Sequence, residues 1–162
     1  TLHGVLVALL VWSSLATAED FTGRVVGVAD GDTITVVHQG HGERIRLHGI
    51  DAPEKGHPFT NRAQQFVSEL CYHKEVRVQT KGQDRYQRTI ADVILPDGSI
   101  LNYEIVKAGL AWCFKRYAPN DPTLEGLESQ GREAKRGLWV LRDPVPLWEF
   151  RKNKPAPYTE KE

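Results

Sequence analysis

The dipeptide Asp30-Gly31 lies between two runs rich in β-branched residues, Phe21–Ala29 and Thr33–His38. Asp and Gly tolerate the positive φ that a tight hairpin turn needs, so this segment is predicted to fold back as an antiparallel pair. That pair commits the start of the chain to sheet. His38–Gly42 is a second turn, and Glu43–Ile50 a third strand. There Ile45 and Leu47 fall on one face and Arg44, Arg46 and His48 on the other, as a half-buried strand requires.

Residues 51–59 contain Pro53, Gly56 and Pro58 and read as a loop. Ala63, Phe66, Val67, Leu70 and Cys71 then form an apolar stripe at helical spacing, which predicts a helix over about Asn61–His73. Two more strands follow, Glu75–Thr80 and Arg88–Leu95, separated by the polar loop Lys81–Gln87. A second helix is predicted over Leu101–Ala108, stopping at Gly109, and a third over Pro122–Arg136, stopping at Gly137. From Pro144 onward Pro, Trp and Lys dominate, and an extended tail that packs through Trp148 or frays is expected.

Five strands with a helix between the third and fourth match an OB-type barrel, an α+β architecture with three helices. An open α+β sheet is the alternative that the pattern leaves standing. A doubly wound α/β sheet needs regular strand–helix alternation, which is absent. The 162 residues suit one domain, placed at residues 19–142 with a tail over 143–162. Lys+Arg and Asp+Glu each total 21, a balance that argues against a protein coating nucleic acid through bulk positive charge.

Val5–Ala16 is an apolar run too short for a comfortable membrane span, and Ala16-Thr17-Ala18 matches a small-x-small cleavage pattern. Residues 1–18 are therefore read as an export signal, with Glu19 the first mature residue and a secreted or periplasmic destination. No Lys or Arg precedes the run, so a charged segment is expected upstream; a buried core helix or an uncleaved anchor is the alternative. Cys71 and Cys113 fit an exported protein as one disulfide or as two buried thiols. The six His residues show no HxxxH spacing, and zinc is not expected.

Four pieces carry chemistry: Asp30-Gly31-Asp32-Thr33, Arg46, Asp51-Ala52-Pro53-Glu54 and Asp84-Arg85-Tyr86-Gln87-Arg88. A phosphodiester is an anion that repels a nucleophile. Its hydrolysis needs a hard cation or guanidinium groups to absorb charge growing in the transition state. Carboxylates hold such a cation, and Ca²⁺ tolerates irregular oxygen cages. Arg suits phosphate better than Lys because its planar fork binds two oxygens at once. Each piece alone is an ordinary turn, helix entry or solvated strand residue; their joint order is specific.

Val28–Ile34, Arg46–Glu54, Asp84–Arg88 and Leu110–Asn120 together resemble the staphylococcal nuclease family, a likeness spanning about Phe21 to Trp139. The resemblance implies the same five-stranded barrel with three helices. It implies a Ca²⁺-dependent nuclease acting on DNA and RNA, with 3′-phosphate and 5′-hydroxyl products. Asp32 and Asp51 would ligate the cation through carboxylates and Ala52 through its main-chain carbonyl. Glu54 would be the general base, Arg46 and Arg88 would bind the scissile phosphate, and Arg85 and Tyr117 would contact substrate. Three positions depart from the family pattern. Ala52 stands where Thr is frequent, Gln87 where Gly is usual, and Lys115 where relatives carry a base-stacking aromatic. The Gln87 exchange is expected to alter the local backbone.

Bland readings stand beside these. Asp30 is expected to hold its turn and Asp84 to cap its loop. Trp112 and Phe114 read as core or rim aromatics, Trp139 and Trp148 as packing anchors, and Arg132, Lys135 and Arg136 as a solvated face. A silent nucleic-acid or protein binding module, or an adaptor with an incidental Ca²⁺ site, are the competing functions. A monomer is expected.

Overall fold

The computed structural model describes residues 19–116, 118 and 120–153, so the export-signal reading, Tyr117 and residues 154–162 lie outside it. Strands β1 (Phe21–Asp30), β2 (Thr33–His38), β3 (His41–Leu47), β5 (Glu75–Gln83) and β6 (Thr89–Ile94) close into a barrel in the order β1-β2-β3-β6-β5. All pairs are antiparallel except β3–β6, the parallel pair that seals the cylinder. Closure leaves no open sheet edge, and the open-sheet alternative falls away. Helices α1 (Thr60–Cys71), α2 (Leu101–Lys107) and α3 (Pro122–Glu133) lie where the sequence predicts them.

The inward residues of the strands build the core. Val25, Ile34, Val36, Ile45, Leu47, Val76, Val78, Ala91 and Val93 are buried, and Ala63, Val67, Leu101, Ile105 and Val106 meet them from α1 and α2. Each large aliphatic side chain so placed contributes roughly 1.5–3 kcal/mol. Cys71 and Cys113 are both buried free thiols. Burial pushes Cys71 up to about 12 and Cys113 up to about 11.

Three stretches differ from expectation. The pair Asp30↔Thr33 closes the first hairpin, so its turn residues are Gly31 and Asp32, one place later than the dipeptide suggests. Asp30 Oδ1 accepts the Asp32 N–H at 3.0 Å and fixes that turn. The third strand does not run through to Ile50. It breaks at Gly49, whose φ of 74° bends the chain, and any Cβ there would meet Ala118 and Leu124 at 2.9 Å. Ile50–Asp51 (β4) thus leaves the barrel and pairs with Trp112–Cys113 (β7).

The third difference is the tail. Leu147–Asn153 forms a helix, α4, rather than an extended tail. Leu147 is fully buried in a second cluster with Trp112, Leu138 and Trp139. Phe150 meets His57 edge-on at 5.1 Å, and Trp148 stacks on Phe114 at 5.2 Å. Seven residues are too few to hold a helix by propensity, so docking stabilises it.

Asn102, fully buried on α2, ties the layers together. Its amide oxygen accepts the Val93 N–H at 3.1 Å, and its nitrogen donates to the carbonyls of His48 (3.0 Å) and Ala91 (3.1 Å). Asn102→Ala strands these backbone groups and is expected to lose about 2–4 kcal/mol in urea unfolding. A loss under about 0.5 kcal/mol would show the amide to be dispensable.

Candidate active site

The site forms where the first hairpin turn meets the β3–β4 break. Gly31 makes the approach possible, since a Cβ on it would lie 2.7 Å from Ala52 Cβ and 2.8 Å from Ala63 Cβ. Gln64 of α1 reinforces the contact by donating to the Val28 carbonyl at 2.9 Å. The turn thereby sets Asp32 beside the Asp51–Ala52 segment, and the Ala52 N–H donates to Asp32 Oδ2 at 2.8 Å.

Arg46, on the outward face of β3, projects its guanidinium between the two acidic residues. Nη1 lies 3.2 Å from Asp32 Oδ2 and Nη2 3.1 Å from Asp51 Oδ1. Nη1 also donates to the carbonyls of Leu47 (3.2 Å) and Ile50 (3.0 Å), so the group is held from several sides. Both carboxylates are taken out of water. Burial pushes Asp32 up to about 7, against the pull of Arg46 and of the Ala52 N–H, with the Asp30 charge adding to the rise. Burial also raises Asp51, opposed by Arg151 and Arg46.

Glu54 follows three residues after Asp51. Its loop is fixed through the backbone, where the Glu54 carbonyl accepts from Thr60 Oγ1 at 2.5 Å and from the His57 N–H at 2.9 Å. Its carboxylate, a third exposed, lies 3.4 Å from Arg151 Nε. Arg88 joins from the other side. Nε donates to Asp84 Oδ2 at 2.7 Å, and Nη1 reaches Thr33 Oγ1 at 3.4 Å. Thr33 Oγ1 in turn donates to Asp32 Oδ1 at 3.1 Å. Asp84 also accepts the N–H groups of Tyr86 and Arg88 through Oδ1, which holds the loop that presents Arg88.

Asp32, Arg46, Asp51, Ala52 and Glu54 are therefore gathered into one patch, with Arg88 linked to it through Thr33. Arg85 stands apart, donating to Tyr86 Oη at 2.7 Å on the exposed loop. Gln87 has a φ of 62°, the region glycine enters freely, so the loop keeps a glycine-like turn at a cost of roughly 1 kcal/mol.

Comparison with known proteins decides the family. The model described as "Staphylococcal nuclease homologue" matches residues 44–140, a span that holds Arg46, Asp51, Glu54 and Arg88. The chain belongs to this family. An "Uncharacterized endonuclease" of Escherichia coli O157:H7 is 40% identical over 148 residues, covering 91% of this chain and 96% of that protein. An "Uncharacterized endonuclease" of Haemophilus influenzae is 38% identical, covering 89% and 82%. The "Micrococcal nuclease" of Shigella flexneri is 35% identical, covering 93% and 92%.

In this staphylococcal nuclease homologue the sequence reading missed one site residue, Arg151. It is carried by α4, and its Nη2 donates to Asp51 Oδ1 at 2.9 Å. The available signal was Leu147, Trp148 and Phe150 just ahead of an Arg-Lys pair, a helical cluster masked by Pro144 and Pro146.

The donor set fits a hard divalent cation. Asp51 Oδ2 is buried with no hydrogen-bond partner, an orphan that a proton or a cation would satisfy. Among the described residues no three His, Cys, Asp or Glu side chains form a ready metal cage. The two carboxylates of Asp32 and Asp51, completed by water, suit an ion that accepts oxygen ligands in loose geometry.

The raised Asp32 has a consequence for stability. Burial pushes it up to about 7, above the ordinary carboxylate value of 3.8, so at intermediate pH the folded chain holds a proton that the unfolded chain has lost. Stability of the chelated protein is therefore expected to fall as pH rises from about 4 to about 7. The urea midpoint measured across that range should decline, and Asp32→Asn should flatten the decline. A midpoint that rises through this window in the wild type and is unchanged by the substitution would contradict the assignment.

Proposed function

We propose that this protein is a Ca²⁺-dependent phosphodiesterase that cleaves DNA and RNA. The observation that carries this reading is Arg46 bridging Asp32 and Asp51 beside Glu54, with Arg88 linked to the same patch. Buried carboxylates, an outward guanidinium and a part-exposed carboxylate are the parts that phosphodiester hydrolysis needs.

Asp32, Asp51 and the Ala52 carbonyl would hold the cation, which when bound neutralises charge on the phosphoryl oxygens. Arg46 and Arg88 bind the scissile phosphate from two sides and stabilise the negative charge that builds up on it. Glu54 accepts a proton from the attacking water, a contribution of roughly 10²–10⁴-fold in general. Arg85, held beside Tyr86 on an exposed loop, and Tyr117 are assigned to substrate contact on the family pattern alone. The same pattern supports 3′-phosphate and 5′-hydroxyl products. Retention of every expected acidic and basic residue favours turnover over a silent binding module. Export is supported by the Val5–Ala16 run followed by the small-x-small pattern Ala16-Thr17-Ala18.

Single-stranded DNA incubated with the full chain should be degraded with Ca²⁺ and survive with chelator. Glu54→Gln should lower kcat far more than it changes KM, and Arg88→Ala should lower kcat/KM by roughly 10²–10³-fold. DNA that is bound yet intact in Ca²⁺ would favour the binding module. Near wild-type rates in both variants would overturn the site assignment.

A further inference from the structure

Arg151 comes from outside the barrel and is delivered by a helix that only docking holds in place. Its guanidinium spans two acidic residues of the site. Nη2 is 2.9 Å from Asp51 Oδ1 and Nε is 3.4 Å from Glu54 Oε2. Asp51 Oδ1 is already 3.1 Å from Arg46, so one buried oxygen receives two guanidinium groups. The helix is fixed by Leu147 in the Trp112–Leu138–Trp139 cluster and by the Phe114–Trp148 stack, and His57 Nε2 lies 3.1 Å from the Val145 carbonyl just ahead of it.

An exposed ion pair contributes little, but this one reaches a carboxylate with no exposure of its own. The charges also set a sign. Ionised Asp32, Asp51 and Glu54 carry three negative charges, and Arg46 and Arg151 carry two positive ones. A divalent cation entering at Asp51 meets repulsion from Arg151 and competes with it for the carboxylate. The fork's other arm lies on Glu54, whose orientation decides whether it can reach the attacking water.

We propose that Arg151 is a positioning residue of the phosphodiester site, orienting Glu54 and competing with the divalent cation for Asp51. This rests on the roles given above to Asp51 and Glu54. Removal of Arg151 then moves two quantities in opposite senses. Cation binding tightens because a like charge has gone, while turnover slows because Glu54 has lost the Arg151 contact that helps to orient it. A helix that merely packs would not tighten cation binding when its arginine is trimmed.

The test uses the full chain, stripped with chelator and titrated with Ca²⁺ by calorimetry without nucleic acid, followed by cleavage kinetics on single-stranded DNA. Arg151→Met keeps the aliphatic stem and removes the charge. It should bind Ca²⁺ about fivefold more tightly and show kcat lowered on the order of tenfold. Arg151→Lys keeps the charge and loses the fork, so its Ca²⁺ affinity should stay near wild type while kcat remains low. An unchanged or weakened Ca²⁺ affinity in Arg151→Met, or wild-type kcat in both variants, would overturn the proposal while leaving the nuclease reading intact. A wild-type chain that neither binds Ca²⁺ nor cuts DNA would overturn both.

Discussion

The site depends on keeping two acidic side chains out of water beside one guanidinium. A buried carboxylate without a partner is costly, and two of them repel each other as well. Arg46 meets both demands, and its own position is fixed by two backbone carbonyls as well as by Asp32 and Asp51. Burial still pushes Asp32 up against the pull of Arg46, and Asp51 Oδ2 is left without a hydrogen-bond partner. A site in that state is poised to take up positive charge.

The barrel matters because it brings distant parts of the chain to this arginine. The β1–β2 turn supplies Asp32, the break at Gly49 swings Asp51 off the sheet, and the β5–β6 loop carries Arg88. The same break sends Asp51 into a pairing with Trp112, whose ring belongs to the cluster that receives Leu147. Packing of the C-terminal helix and placement of a site carboxylate thus share one short pair of strands. Substitutions in that aromatic cluster should be felt at the site through α4 as well as through stability.

The barrel strands and α1 to α3 were legible because their signals are local: alternation, helical stripes, Gly and Asp at turns. The residues of the patch were legible because phosphoryl chemistry narrows the side chains that can serve it, and the family resemblance placed them by order. What escaped was decided by tertiary contact. Glu43–Ile50 reads as one alternating strand, and only the crowding of Gly49 against Ala118 and Leu124 shows why it must break. The α4 segment is too short and too rich in flanking proline to announce itself, and Arg151 had no meaning until the helix carrying it had a place to dock.

The proposed chemistry requires Asp32 and Asp51 to serve one and the same cation. A double-mutant cycle of Asp32→Asn and Asp51→Asn, read as Ca²⁺ affinity by calorimetry, measures this directly. Each single substitution should weaken binding strongly, and the double should be little worse than the weaker single, because the shared site has already been lost. Two effects that simply add, or Ca²⁺ affinity untouched by either change, would mean that the carboxylates do not share an ion.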